Sequence, residues 1–561
     1  MASLDVFDAV VVGSGFGGSV TAYRLAEADL RVCVLERGKP FPPGSFPRSP
    51  HEAAKNFWDP DAGLHGMYDM WSFSTMDALV SSGLGGGSLI YANVLIRKPE
   101  RWFVHEAYDG GYEKWPVTYA DLDPHYRDVE TMLGARPYPF GVEPYRSTPK
   151  TRAMREAAER LGIPWELPSL AVSFGDPPVP GAPIDDGSGN LHHSPRFACR
   201  LVGECDLGCN FGSKNSLDFT YLSAAQRLGA EIRTLCEVRA FAPVREGFEV
   251  TYIEHRPAGA EDPAAPPVRR TVRARRLILS AGTLGTTYLL LRNRSAFPAL
   301  SPALGTHFSG NGDFLGLVFK ARKAGAREES VPRMMEPSFG PVITSAMRYD
   351  RKGSGASDRG FYIEDAGYPE FLNWLVEHNV LTMTNRVARF LMRRGWSRLT
   401  GTARSQVGRQ LGAALGKGLF TATSLPLLGM GRDVPNGRMF LRDGNLDLDW
   451  KLGASDRYFD QMNEAMEEIA HSLGGHYAAN PLWLLNRLIT VHPVGGAPMA
   501  DSSREGVVDS FGRVYDCPGL SVADGSVLPG PVGPNPSLTI AALADRAALR
   551  LVEDHRKHRK A

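Results

Sequence analysis

The strongest constraint on how this chain folds is a short junction near its beginning. Val6-Phe-Asp-Ala-Val-Val-Val12 is an apolar run of strand length that passes directly into Gly13-Ser-Gly-Phe-Gly-Gly18, and Ser19–Asp29 then takes up helical spacing. A strand that runs through a glycine turn into a helix is an anion-binding device. Gly13 permits the turn, Gly15 lets backbone approach a pyrophosphate, Gly18 lets the helix pack on the strand, and the helix N-terminus supplies amide donors and the positive dipole end. Arg31-Val-Cys-Val-Leu35 reads as a second strand that ends at Glu36, placed to accept hydrogen bonds from an adenosine ribose and to repel a 2′-phosphate. Phe16 and Gly17 inside the turn, and Arg37 beside Glu36, complete the first group of candidate cofactor contacts. The motif alone does not separate FAD from NAD.

Composition narrows the surroundings. Lys+Arg 63 against Asp+Glu 62 leaves a formal charge of +1, which removes a global electrostatic case for nucleic-acid binding. The 60 glycines gather at 13–18, 83–87 and 525–533, a distribution expected where backbone meets a ligand closely. The chain's length favours two packed domains. Six cysteines and the lack of a secretory leader pattern predict a reducing, cytoplasmic setting, and no uninterrupted apolar stretch of about 20 residues is present to span a bilayer.

Ser82-Gly-Leu-Gly-Gly-Gly-Ser-Leu89 has no Rossmann-type apolar strand before it and reads as a loop laid against a ligand. Its Gly-Gly-Gly-Ser-Leu resembles the flavin-contacting segment of glucose-methanol-choline (GMC) oxidoreductases, in particular the cholesterol oxidase-like branch. That resemblance assigns Gly86, Gly87, Ser88 and Asn93 to an FAD site, with Tyr91-Ala92 departing from the branch's pattern. It also extends to the end of the chain. His492-Pro-Val-Gly-Gly-Ala, Gly512-Arg-Val, and Leu520-Ser-Val-Ala-Asp-Gly-Ser-Val-Leu-Pro-Gly-Pro-Val-Gly-Pro-Asn535-Pro-Ser-Leu-Thr-Ile-Ala closely match the family's C-terminal signature. By resemblance, His492 faces the flavin, Asp524 and Gly525 contact the ribityl–pyrophosphate region, and the last helix begins beneath the isoalloxazine after Asn535-Pro536. Val238 contacts adenine through its backbone, with Ala281 and Gly282 near the dinucleotide.

The implied fold is α/β. A discontinuous Rossmann-type FAD-binding domain would comprise 1–42, 212–312 and 488–561. A substrate domain of 43–211 and 313–487 would carry a mainly antiparallel sheet with covering helices.

Alcohol oxidation needs a hydride to leave carbon and a proton to leave oxygen. Imidazole, with an ordinary pKa of about 6.5, suits the proton transfer, and an Asn amide holds a hydroxyl without competing for its proton. His492 and Asn535 therefore read as the catalytic pair. Glu364, embedded in Phe361-Tyr-Ile-Glu-Asp-Ala-Gly-Tyr-Pro-Glu-Phe371, has two readings: a buried acid or base, by analogy with the proton-moving Glu of sterol oxidases, or a solvated carboxylate in a turn.

Two tracts stay open. Cys199, Cys205 and Cys209, with His192 and His193 nearby, read either as a metal cluster or as a packed loop, and the packed loop is the better reading because a fourth close cysteine is lacking. Residues 378–432 are basic and apolar, with no acidic residue from His378 to Arg432. They read as a helix lying on an anionic membrane surface, a subunit contact or a cover over the substrate cavity. The expected reaction is FAD-dependent oxidation of a bulky lipophilic, sterol-like alcohol, with oxygen or another electron acceptor as co-substrate. Alternatives are a long-chain, terpenoid or polyketide alcohol, or a non-catalytic flavoprotein that binds a membrane or partner.

Overall fold

The computed structural model describes residues 5–108, 111–187, 189–256, 267–325, 329–350, 359–370, 392, 396, 419–485 and 487–560. Its organising feature is a sheet centred on Val6–Val12, with Val32–Leu35 parallel on one side and Val268–Leu279 on the other. Glu231–Arg233 extends the first side, and Leu520–Val522 pairs parallel with Leu277–Leu279. Val32–Leu35, most of Val6–Val12 and the Leu277–Leu279 end of Val268–Leu279 are apolar because helices cover both faces there; Val10, Val11, Val32, Val34 and Leu277 are wholly buried. Helix Phe16–Glu27 packs against Tyr221–Arg227 and against helix Ser537–Lys560. The other half of Val268–Leu279 joins Gly247–Glu254 and Cys236–Val244 in an antiparallel meander.

A second large sheet is antiparallel, in the order Trp165–Glu166, Ala346–Tyr349, Phe361–Asp365, Leu425–Gly431, Phe314–Phe319 and His476–Ala479. One face packs Phe314, Ile363 and Leu427 with Met462, Met466 and Ile469 of helix Asp456–Ser472. The approach is close: a Cβ on Gly429 would stand 2.1 Å from the Met462 sulfur. The opposite face carries Ala346, Tyr362 and Met430, packed with Val94, Ile96 and Trp102. Glu364 lies in register with Ala346 and so shares that face.

A small sheet joins the two units. Tyr68–Ser72 and Met76–Ser81 form an antiparallel pair, and Leu488–Thr490 runs parallel to Met76–Ala78. Leu488–Thr490, which the sequence division groups with the cofactor domain, is thus paired with a strand of the other unit. The strand Met76–Ser81 precedes the second glycine cluster, but it belongs to this small sheet rather than to the parallel one. Its parallel partner leads into His492, so adjacent strands deliver the glycine turn and the histidine to the same edge.

Residues 378–418 of the basic tract, apart from 392 and 396, lie outside the described residues. The end of the tract is corrected: Leu425–Gly431 is an interior strand, and Arg432, 4% exposed, forms ion pairs with Glu106 and Glu113. No helix among the described residues is long and apolar enough to cross a membrane.

Candidate active site

The glycine turn after Val6–Val12 lies where three loops converge at the carboxyl ends of parallel strands, the usual place for a ligand in an open α/β sheet. A Cβ on Gly13 would lie 2.2 Å from the Ser280 carbonyl oxygen, one on Gly17 would lie 1.4 Å from that of Ala523, and one on Gly18 would lie 2.1 Å from that of Gly13. These three glycines are needed by the protein's own packing. Gly15 and Gly87 differ: a Cβ on either meets nothing within 4 Å. The two glycine clusters touch, since a Cβ on Gly86 would lie 2.7 Å from the Gly15 Cα. Phe16 packs edge-on against Tyr91, ring centroids 5.4 Å apart.

Ser14 and Glu36 lock this junction. The Ser14 amide and hydroxyl donate to Glu36 Oε2 at 2.9 and 2.6 Å, Gly38 N donates to Oε1 at 2.8 Å, and Gly85 N donates to the Ser14 hydroxyl at 3.0 Å. Glu36 therefore spends most of its acceptor capacity on the turn, with lone-pair capacity left at Oε1. Arg37 turns to Asp69 (2.5 Å) and lies over the Trp58 ring. Leu235 N and Cys236 N donate to the carbonyls of Gly38 and Glu36, which brings Val238 beside the end of this strand; Val238 is 6% exposed. The Ser88 hydroxyl is internal, donating to Gly85 O and accepting from Leu217 N.

The late loop is tied to the same place. Asp524 accepts from Ser526 N and Oγ on one oxygen and from Gly282 N and Thr286 Oγ1 on the other, at 2.5–3.0 Å. With both oxygens occupied, its carboxylate holds loop to loop. Ala281 N donates to Thr286 Oγ1, and Gly282 has φ +78 with open space at its Cβ position.

Ser309-Gly-Asn-Gly-Asp313, a stretch that sequence reasoning passed over, holds both His492 and the loop that carries Asn535. His492 Nδ1 is 2.7 Å from Asp313 Oδ1, while Asp313 Oδ2 accepts from Val491 N and lies 2.9 Å from the Thr490 hydroxyl. Thr490 Oγ1 in turn accepts from His492 N at 2.9 Å. Two residues earlier, the Asn311 side chain accepts from Gly533 N and donates to the carbonyls of Gly533 and Pro534, fixing the loop that presents Asn535. Lys98, wholly buried over the Trp115 ring, donates to the carbonyls of Pro531 and Val532 at 2.9 and 3.1 Å. Ser309 and Gly310 N are held by Asp433, whose carboxyl burial pushes up to about 7.

Glu364 and Asn535 meet. The Asn535 amide donates to Glu364 Oε2 at 3.5 Å, and Asn535 Oδ1 and Glu364 Oε1 have no protein partner although both are buried. Glu364 is wholly buried in a strand, which removes the solvated-turn reading. Burial holds its carboxyl well above the usual range; the Asn535 hydrogen bond opposes this, and Asp365, Asp313 and Glu166 add to it. Asn93, φ +70 and 0% exposed, leaves both side-chain amide atoms unpartnered. Pro536 precedes helix Ser537–Lys560, and the buried Ser537 hydroxyl also has no partner.

Cys199, Cys205 and Cys209 are free thiols, and burial pushes the first two up. Among the described residues no group of three or more His, Cys, Asp or Glu is placed to hold a metal. His192 pairs with Asp218 at 2.6 Å. Lys214 ties the cysteine loop to the second glycine cluster through the carbonyls of Leu89, Tyr91 and Cys205.

The sequence profile described as GMC oxidoreductase matches residues 443–544, and that of an NAD(P)-binding Rossmann-like domain matches 11–43. The cholesterol oxidase of Mycobacterium tuberculosis is 30% identical over 565 residues, covering 97% of this chain and 90% of that protein. The chain belongs to the GMC oxidoreductase family. The cholesterol oxidase of Acinetobacter baumannii is 28% identical (98% and 95% covered), and the long-chain-alcohol oxidase FAO4B of Arabidopsis thaliana is 24% identical (97% and 67%). The crystal structure of pyridoxine 4-oxidase from Mesorbium loti shares the fold, with TM-score 0.55, 17% identity and coverage of 98% and 99%. As a GMC oxidoreductase this chain is an FAD-dependent enzyme that oxidises alcohols. Its residues fit the cofactor: two glycines open on one side, a helix N-terminus, and buried polar atoms at Asn93, Asn535 and Ser537 without protein partners.

Proposed function

We propose that the substrate is a bulky lipophilic alcohol of sterol-like shape, that His492 takes its hydroxyl proton and that Asn535 orients its oxygen. FAD, when bound, accepts the hydride that leaves carbon. In this reading the backbone of Gly13–Gly18, Gly86–Gly87, Ala281–Gly282 and Asp524–Gly525 would hold the cofactor, with Glu36 on its ribose and Val238 at its adenine. Asn93 and Pro536 would lie at the flavin end. Oxygen or another acceptor would then reoxidise the cofactor.

The observation that carries the proposal is the buried Asn535–Glu364 pair, with one oxygen on each side chain unpartnered. It offers a hydroxyl-orienting amide beside a carboxyl that burial keeps protonated, and so able to carry a proton. The sterol part is supported by 30% identity to a cholesterol oxidase over nearly the whole chain. A long-chain alcohol is the second reading, supported by the plant long-chain-alcohol oxidase. Peripheral membrane contact through the part of the basic tract that precedes Leu425, in the cytoplasm, belongs to the same proposal, since both substrates reside in lipid.

The deciding experiment is anaerobic bleaching of the protein-bound flavin with cholesterol, 1-dodecanol and choline in parallel. Bleaching by cholesterol alone supports the sterol reading, bleaching by 1-dodecanol alone replaces it, and no bleaching by any alcohol overturns the catalytic assignment.

A further inference from the structure

We propose that Asp313 is the positioning residue of the proton transfer, fixing which nitrogen of His492 is basic and balancing the charge that the imidazole acquires. The inference rests on His492 being the proton acceptor. A carboxylate can only accept, so the nitrogen 2.7 Å from Asp313 Oδ1 must be the one that carries hydrogen. Neutral His492 is thereby held with hydrogen on Nδ1, and its lone pair is on Nε2. An imidazole turned over, or in the other tautomer, would present a hydrogen rather than a lone pair to a substrate hydroxyl.

Asp313 is well placed to do this. Its side chain is 3% exposed, and its second oxygen is held by Val491 N and lies within reach of the Thr490 hydroxyl, so the carboxylate cannot rotate away from the ring without losing donors. The His492 backbone is fixed from the same hydroxyl. In the reaction the alcohol O–H bond breaks and its proton bonds to Nε2. The electron pair left on oxygen forms the carbonyl as carbon releases its hydride, which FAD would accept when bound, and the imidazolium, hydrogen on both nitrogens, sits against the Asp313 carboxylate. Removing the negative charge while keeping the shape therefore weakens both the orientation of the base and the stabilisation of its charged form.

The test uses the FAD-loaded enzyme with cholesterol and 1-dodecanol as probes. Asp313→Asn is expected to keep its flavin spectrum while anaerobic flavin reduction slows by up to about 10⁴-fold, the loss in a serine-protease triad when an amide replaces the carboxylate behind the catalytic histidine. Asp313→Glu is expected to recover part of that loss. In the His492→Gln background, Asp313→Asn is expected to cost little more, because its effect passes through the imidazole. Independently of turnover, ¹⁵N-histidine NMR of the unsubstituted protein at about pH 9, above the ordinary imidazole range, should show His492 with hydrogen on Nδ1. That spectrum decides the matter even where a variant fails to load flavin. Hydrogen on Nε2, unchanged reduction by Asp313→Asn, or an equal loss in both backgrounds each overturns the role of Asp313. Unchanged reduction by His492→Gln instead overturns the proton-acceptor reading itself, and a slow His492→Gln with a fast Asp313→Asn removes only the inference about Asp313.

Discussion

Asn535 donates to Glu364 at 3.5 Å across 171 residues of chain, and this contact joins the proline-rich loop of one unit to the antiparallel sheet of the other. Because the carboxyl is held protonated by burial, Glu364→Gln preserves both shape and charge. The variant is expected to load FAD and oxidise alcohol within about tenfold of the parent rate, while losing any step in which Glu364 carries a proton. With cholesterol as probe, near-ultraviolet absorbance reports whether the ring double bond moves into conjugation; continued conjugation by Glu364→Gln removes Glu364 from that step.

His492→Ala should leave flavin content intact, because no cradle residue depends on the imidazole. Stopped-flow reduction without oxygen should slow by about 10²- to 10⁴-fold, the usual weight of a general base. Reduction at the parent rate would show that the proton leaves by another route.

The glycines divide into two experimental classes. Gly17→Ala drives a methyl to within 1.4 Å of a backbone oxygen and should prevent soluble expression. Gly15→Ala meets no protein atom within 4 Å, so the chain should fold with an unchanged circular dichroism spectrum yet purify with little flavin. Full flavin content in Gly15→Ala would place the cofactor elsewhere.

Asp433 should make stability depend on pH. Burial raises its carboxyl from 3.8 to about 7, so the folded protein binds a proton that the unfolded chain has already released across that interval. Its contribution is present below pH ~4 and is lost as pH rises through about 7, by roughly 4 kcal/mol at most. Asp433→Asn cannot ionise, so its melting temperature should fall less than the parent's over the same range. Parallel melting curves would show that Asp433 ionises freely.

Lys98→Met should weaken the loop that carries Asn535. The carbonyls of Pro531 and Val532 lose their buried donor, at a cost of about 2–6 kcal/mol for the pair. Thermal melts with bound FAD should show the loss, and flavin reduction should slow along with it; an unchanged melt would mean that the two carbonyls find other donors.

Local patterns were legible where spacing alone encodes structure. The apolar run Val6–Val12, the spacing of Gly13, Gly15 and Gly18, and the terminal Glu36 are short-range signals, and the strand, turn and helix follow from them. His492 and Asn535 were singled out by the resemblance of the C-terminal segment to the GMC signature, not by spacing. Asp313 was not legible: it lies 179 residues from its histidine, and a single Asp before an apolar strand has no periodicity to betray its partner. The glycine-rich Ser309–Asp313 stretch was the one available signal. The strand Leu425–Gly431 was hidden because apolar content in a basic tract reads equally as a surface helix or a buried strand. Ser88, Arg37 and Asp524 show a further limit. A motif fixes where a loop goes, while which of its polar atoms turn inward depends on neighbours that the motif does not contain.

The pairing of Leu277–Leu279 with Leu520–Val522 also sets an order of events at the ribosome. At synthesis rates of about 5–20 residues per second, the earlier strand waits for a time on the order of tens of seconds with one edge open. An unpaired strand edge is open to wrong partners for that interval. The Asp524 turn, tied to Gly282 and Thr286, joins the first glycine turn only once the chain beyond Val522 has emerged, so the cradle closes late in synthesis.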